Sequence, residues 1–246
     1  MISGLLRDNW ILFEDINGNA GHHGLLDHLM VFGAQDVVFL LPLPLLALWV
    51  AAARWSPWRG AAADHPWLAY DRALGQRIVV LTCLGVVFAV ALNYIISHLI
   101  MEPRPFISHP TVDHLLIAHA ADNSFPSDHT AVVSAVATAL GLYFLFVASS
   151  ALSLGRATDP GTSVALKVRR GFAPELLFAG TLFALALIAV AWVGLGRVYT
   201  GVHYPLDIAG GALDGLVGGL IAVALRPLAE PVLAPAIRLA ERLHLA

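Results

Sequence analysis

Apolar residues gather into five long stretches, at roughly residues 35–53, 78–100, 128–151, 175–195 and 206–225, with charged and polar residues returning between them. A helix crossing the hydrocarbon core needs about 20 mostly apolar residues, so each stretch predicts a spanning helix. Residues 10–33 are too interrupted by polar groups to span and are expected to lie along the membrane surface. The tail from Pro231 to Ala246 follows another pattern: Leu233, Ala236, Ile237, Ala240 and Leu243 share one helical face, with Arg238, Glu241 and Arg242 opposite. That spacing predicts an amphipathic helix at the interface. The fold class expected is all-α: a polytopic membrane bundle of about five transmembrane helices with an interfacial N-terminal segment. With no internal repeat and no low-complexity tract, residues 1–246 are expected to form a single membrane domain.

Composition agrees. Of 246 residues, 58% are hydrophobic and only 13% charged, against about a quarter charged in soluble domains. The net charge of -3 offers no basic footprint for nucleic acid. The single cysteine, Cys83, excludes an internal disulfide and is expected to be an inert core thiol. Arg7, Asp8, Glu14 and Asp15 break up the N-terminal stretch, and no small-residue cleavage site follows, so it does not read as a cleavable signal.

Charge also sets the orientation. Of the 14 Lys and Arg residues, Arg54, Arg59, Arg72, Arg77, Arg156, Lys167, Arg169, Arg170, Arg226, Arg238 and Arg242 fall on one side of the five spans; Arg7, Arg104 and Arg197 fall on the other. Positive charge marks the cytoplasmic side, which places the N-terminus outside and the C-terminus inside.

Three polar clusters then meet on the outer face: Glu102-Pro103-Arg104-Pro105-Phe106, Ser124-Phe125-Pro126-Ser127-Asp128-His129, and the run from Gly196-Arg197 to His203 and Asp207. Two guanidinium groups offer forked donors matched to phosphate oxygens. Ser127 is a candidate helix N-cap, and a helix starting there would aim free N–H groups and its positive dipole end outward. His129 and His203 titrate near neutral pH. Asp207, four residues after His203, could hold one ring nitrogen and leave the other free as nucleophile or base. An anion cradle, two histidines and an orienting carboxylate describe phosphoryl transfer.

These clusters resemble the signature of the type 2 phosphatidic-acid phosphatase superfamily: an Arg-Pro motif, a Pro-Ser-(Gly or Asp)-His motif and an Arg-x5-His-x3-Asp motif. Glu102–Phe106, His119–Thr130 (HAADNSFPSDHT) and the stretch from Ile16-Asn17-Gly18 to Leu26-Asp27 look closer to one branch, the bacitracin-resistance undecaprenyl-diphosphatases. The resemblance covers roughly residues 10–225. It implies that His203 is the nucleophile, forming a phosphohistidine, that Asp207 orients it, and that His129 protonates the leaving lipid phosphate. Arg104, Ser127 and Arg197, with Asp128 beside them, would bind the substrate phosphate. It implies no metal and no cofactor, and as partners a polyprenyl diphosphate lipid substrate and membrane lipids. Two positions depart from the superfamily pattern: Ser97 stands where a lysine is usual, and Gly196 where a serine is usual.

The reaction implied is hydrolysis of undecaprenyl diphosphate to undecaprenyl phosphate at the outer face of a bacterial membrane, recycling the cell-wall lipid carrier. A phosphatase for phosphatidylglycerol phosphate or phosphatidate would share the same site. A transporter or lipid-binding protein is the alternative from another class, in which the arginines hold headgroups and His203 with Asp207 is a structural pair. His109, His114 and His119, with Asp113 and Asp122, have no metal-ligand spacing and read as a plain loop. Gly211, Gly215 and Gly219 form a small-residue ladder, read as close packing within the chain, with a dimer face as the alternative. Asp214, costly in lipid, is expected to face the bundle interior and support the site about two turns below Asp207.

Overall fold

A computed structural model describes residues 2–54, 74–111, 114–157 and 163–243. Arg59, Arg72 and Asp113 lie outside the described residues. The described elements are ten helices: α1 (Ile2–Asn17), α2 (Gly24–Gln35), α3 (Val37–Leu40), α4 (Pro42–Arg54), α5 (Leu74–Leu99), α6 (Pro105–Ser108), α7 (Asp128–Ala157), α8 (Ser163–Tyr199), α9 (Pro205–Ala224) and α10 (Arg226–Arg242). Among the described residues there is no strand. A lone bridge, Pro103 to Asn123, pairs the two segments flanking the outer loop.

Four stretches are long and apolar enough to cross a membrane: α5, Asp128–Leu152 of α7, Ala173–Tyr199 of α8, and α9. A fifth crossing results if Gly24–Gln35 and Val37–Ala52, bent by 58° at their junction, count as one broken span. On that count the first expected span, 35–53, falls in the second arm of the pair. Its first arm, α2, comes from the stretch expected to lie along the surface. Of the polar groups that interrupt this stretch, Asp27 is hydrogen-bonded at the start of α2. Asp27 accepts hydrogen bonds from the N–H groups of Gly21 and His23 and from the Tyr199 hydroxyl, so they crowd the start of the helix rather than its interior.

α7 is the central post. Of its apolar window 61% is buried inside the bundle, against 22–39% for the other three, and it packs on α5, α8 and α9. Val133, Val136, Leu140 and Tyr143 of α7 meet Val37, Leu48, Ile78, Leu182 and Val193 in the main core. Large apolar side chains elsewhere point outward, among them Val87, Leu99, Leu177 and Leu187. In water that surface would be costly; in lipid it is matched. Cys83 of α5 belongs to this outer surface and is exposed, not a core thiol, because the buried stripe of α5 runs through Leu81, Thr82 and Gly85.

The glycine ladder of α9 faces α7 and α5 within the chain. A Cβ at Gly211 would overlap the carbonyl oxygen of Ser127, and one at Gly215 would lie 2.6 Å from the Ala135 nitrogen. Only glycine allows the start of α9 to press against the start of α7, which brings Asp207 beside Ser127. At the opposite end, Arg77 of α5 forks onto Glu230 of α10 at 2.7–3.2 Å. α10 begins earlier than the expected tail helix and runs through Pro231 and Pro235. Of its expected apolar face, Leu233 and Ile237 are buried, whereas Leu243 is exposed.

Candidate active site

The turn between α8 and α9 carries the centre of the site. Gly201 reverses the chain with φ of 82°, a left-handed conformation that costs glycine little. Pro205 then starts α9, where its missing N–H costs nothing. The Asp207 carboxylate accepts the Tyr204 N–H at 2.8 Å, closing the first turn of the helix. The same oxygen, Oδ2, lies 3.2 Å from His203 Nδ1 and also accepts the Ser124 hydroxyl. One helix-capping carboxylate thus fixes the imidazole: Nδ1–H donates to Asp207 and the lone pair sits on Nε2.

Both arginines converge on that lone pair. Arg104 Nη1 and Arg197 Nη2 each lie 3.1 Å from His203 Nε2. Arg104, at the N-terminus of α6, also donates to the Val202 carbonyl at 2.8 Å and, through Nε, to Asp122 at 2.7 Å. Arg197, in the last turn of α8, donates to the Ala34 carbonyl at 3.4 Å and to His119 Nε2 at 3.0 Å. Arg104 is 4% exposed and Arg197 2%. Two such charges, side by side in a poorly hydrated pocket, are tolerated only against negative charge. Asp122 supplies it to Arg104. Arg197 forms no ion pair with a carboxylate among the described residues, and its Nε–H is buried without a partner. The pocket is built for an anion.

Burial first, then the charges of Arg197 and Arg104, hold the His203 imidazole well below its ordinary range. It is neutral at pH 7, as a nucleophilic nitrogen must be. His119 is lowered as well, by burial and then Arg104. Glu102, half-buried beside the site, is pushed up to about 7 by burial, with the charge of Asp207 adding to the effect.

α7 starts at the edge of this pocket. Ser127 is fully buried, donates its N–H to the Asp207 carbonyl at 3.0 Å, and accepts the Thr130 hydroxyl at 3.1 Å. Its contact with the Thr130 N–H is long, at 3.5 Å, so the expected N-cap bond is weak. Asp128 Oδ1 accepts the His129 N–H at 2.7 Å and lies 2.9 Å from His129 Nδ1. His129 is thus oriented like His203, by a carboxylate on Nδ1. Its side chain is 26% exposed against 1% for His203, so one imidazole is sealed in and the other faces out.

The loop that reads as plain in the sequence divides in two. His109 lies against Trp10 with the two rings tilted by 34°, and His114 exchanges backbone hydrogen bonds with the Asn17 amide. His119 and Asp122, however, stand on the two arginines. Ser124, His119 and Asp122 lie inside the motif runs without a role of their own there; the structure sets them against Asp207, Arg197 and Arg104. Among the described residues no group of three or more His, Cys, Asp or Glu is arranged to hold a metal. Ser97 turns its hydroxyl back to the Tyr94 carbonyl, and its own carbonyl accepts the Asn123 amide. At Gly196 a Cβ would lie 2.7 Å from the Met30 carbonyl oxygen and 2.9 Å from the Ala34 nitrogen. The close seat of α2 on α8 therefore excludes a serine there.

The profile of the PAP2 superfamily matches residues 78–230, which include all three clusters. The chain belongs to that superfamily. It is an integral-membrane enzyme of the phosphatase kind. It is 25% identical to undecaprenyl-diphosphatase BcrC of Bacillus subtilis over 95% of this chain and 92% of that one. It is 26% identical to the putative undecaprenyl-diphosphatase YbjG of Escherichia coli, over 87% and 80%. The bacitracin transport permease protein BcrC of Bacillus licheniformis is 27% identical over 85% and 75%. The crystal structure of Aquifex aeolicus LpxE has the same fold, with a TM-score of 0.51 and 23% identity over 88% of this chain and 94% of that one.

Proposed function

We propose that this protein hydrolyses a polyprenyl diphosphate, undecaprenyl diphosphate, to the monophosphate and inorganic phosphate, through a phosphohistidine on His203. The observation that carries the reading is the geometry at one atom: His203 Nε2 lies 3.1 Å from a nitrogen of each of two buried arginines while Nδ1 is held by Asp207. Nε2 attacks the terminal phosphorus in line. Arg104 and Arg197 stabilise the charge on the equatorial oxygens, with the N-terminus of α7 at Ser127. The P–O bond to the lipid phosphate breaks as His129, its imidazolium supported by Asp128, gives that oxygen a proton. Water activated by the same histidine, now neutral, then cleaves the N–P bond and frees phosphate and His203. Asp128 on this reading serves the phosphate through its backbone N–H at the start of α7, because its carboxylate is engaged by His129 and would repel the substrate.

The substrate class rests on relatives bearing the undecaprenyl-diphosphatase name that align along most of the chain. The site opens to the extracytoplasmic face on the distribution of Lys and Arg among the loops. The test is phosphate release by the purified protein in detergent with EDTA, comparing undecaprenyl diphosphate, phosphatidylglycerol phosphate and phosphatidate, with His203→Ala as control. Release mainly from the first, lost in the variant, is expected. Release mainly from a glycerolipid would overturn the substrate and keep the mechanism. Release from none would overturn both.

A further inference from the structure

The loop leading to α7 carries two side chains to which phosphoryl transfer by His203 assigns no part. His119 Nε2 accepts from Arg197 Nη2 at 3.0 Å, and Asp122 Oδ1 accepts from Arg104 Nε at 2.7 Å. Asp122 Oδ1 also lies 3.6 Å from His119 Nδ1. The four residues form a continuous bracket from Arg197 through His119 and Asp122 to Arg104. His203 Nε2 closes it on the other side, and the two imidazole rings stand 6.4 Å apart at 74°.

The bracket is anchored from outside. Asn17 of α1 donates to the His114 carbonyl at 3.0 Å and accepts the His114 N–H at 2.9 Å. The Leu116 N–H donates to the Thr200 carbonyl at 3.2 Å, and Ile117 is buried against Ala34 and Val202. A segment merely crossing from α6 to α7 needs none of these contacts. Arg197 Nη2 carries two hydrogens, one for each imidazole, so the two rings together fix the guanidinium plane. Asp122 does the same for Arg104 through Nε. Preset donors bind a phosphoryl group without first losing rotational freedom.

We propose that His119 and Asp122 are positioning residues that hold Arg197 and Arg104 as one rigid clamp for the transferred phosphoryl group. The proposal rests on the phosphatase reading above and deepens it. Orthovanadate, a mimic of the five-coordinate phosphoryl transition state, probes the clamp directly, by calorimetric binding as well as by inhibition. His119→Ala and Asp122→Ala are expected to lower kcat/KM and vanadate affinity together, each by about 10–100-fold. His119→Gln, whose Oε1 reaches the position of Nε2 and accepts the same hydrogen bond, is expected to recover most of both. The double alanine variant should lose less than the product of the two single losses, because either change already breaks the clamp. Vanadate affinity per folded molecule, measured after size exclusion, separates this from a loss of fold. A wild-type protein that hydrolyses lipid phosphate, with His119→Ala within twofold of it in both readouts, would overturn the clamp and leave the function standing. A wild-type protein that hydrolyses none, yet binds vanadate less tightly after His119→Ala, would support the clamp and overturn the function.

Discussion

Ser124 donates its hydroxyl to Oδ2 of Asp207, the same carboxylate oxygen that faces His203, although 83 residues separate the two in sequence. The Tyr204 N–H arrives at that oxygen too, at 2.8 Å. Three donors on one oxygen fix the carboxylate in direction as well as charge, so the tautomer of His203 is set by groups from two separate segments of chain.

Asp207→Asn keeps the shape but replaces the anion that selects this tautomer. Its expected effect is a fall in kcat of roughly 10²–10⁴-fold with KM little changed. Ser124→Ala removes one of three donors and should cost roughly tenfold. Steady-state kinetics with trapping of acid-labile, alkali-stable phosphoprotein would check both. A raised KM with kcat intact would mean the pair binds substrate instead.

Because His203 is held well below its ordinary range by burial and the two arginines, it should stay neutral into mildly acidic solution. The acid limb of kcat/KM that belongs to the enzyme is expected below pH 6.5. Stability carries the same signature with a definite sign. Below pH 6.5 the unfolded chain takes up a proton that folded His203 refuses, so stability falls as pH falls. Thermal unfolding in detergent between pH 5 and pH 8 should show this slope, and His203→Gln should flatten it. An equal slope in the variant would argue against a suppressed imidazole.

Glu102 works in the opposite sense. Its carboxyl is raised to about 7 by burial and by Asp207, so the folded protein binds a proton that the unfolded chain has already lost above about 4.5. Stability from this group is complete in acid and is lost as pH rises through 7. Glu102→Gln is therefore expected to be neutral at pH 5 and to raise the unfolding temperature at pH 8. Equal unfolding temperatures at pH 8 would remove Glu102 from the site's electrostatics.

The legible features were those with a local period or a compact motif. Runs of apolar residues announce α5, α7, α8 and α9 because length and hydrophobicity suffice to define a span. Arg104, Ser127, Arg197, His203 and Asp207 sit in short runs, and the fold gathers them around the His203–Asp207 pair. His119 and Asp122 were not legible, because a loop has no period to reveal which polar groups turn inward. Only the docking of Ile117 and the Asn17 clamp decide it. For α2 the sequence places residues 10–33 along the surface, and the fold bends α2 by 58° against Val37–Ala52, the geometry of a broken span or a re-entrant loop. Gly196 looked like a missing serine, whereas the space belongs to α2.

That space leads to a test. Gly196→Ser restores the more usual residue, but its Cβ would meet the Met30 carbonyl oxygen at 2.7 Å. Backbone cannot yield as a side-chain tip can, so α2 must shift, at a cost of about 1–3 kcal/mol. The expected outcome is a lower unfolding temperature and no gain in activity. A variant with equal stability and faster turnover would mean that the seat of α2 is loose and the missing hydroxyl matters.

Asp214 is 3% exposed on α9 and accepts the Asn93 amide at 3.3 Å, while the same Nδ2 donates to the Pro126 carbonyl at 3.2 Å. One amide nitrogen has two hydrogens; Asp214 takes one, which aims the other at the residue just before Ser127. The carboxylate thus braces the start of α7 from inside the bundle without touching the site. Asp214→Leu leaves a buried amide hydrogen without an acceptor, a loss of about 1–3 kcal/mol, and frees the Ser127 turn to move. Reduced unfolding temperature and reduced kcat/KM are expected together, with Asp214→Asn recovering both because its amide oxygen accepts the same bond. Unchanged activity and stability in Asp214→Leu would overturn the brace.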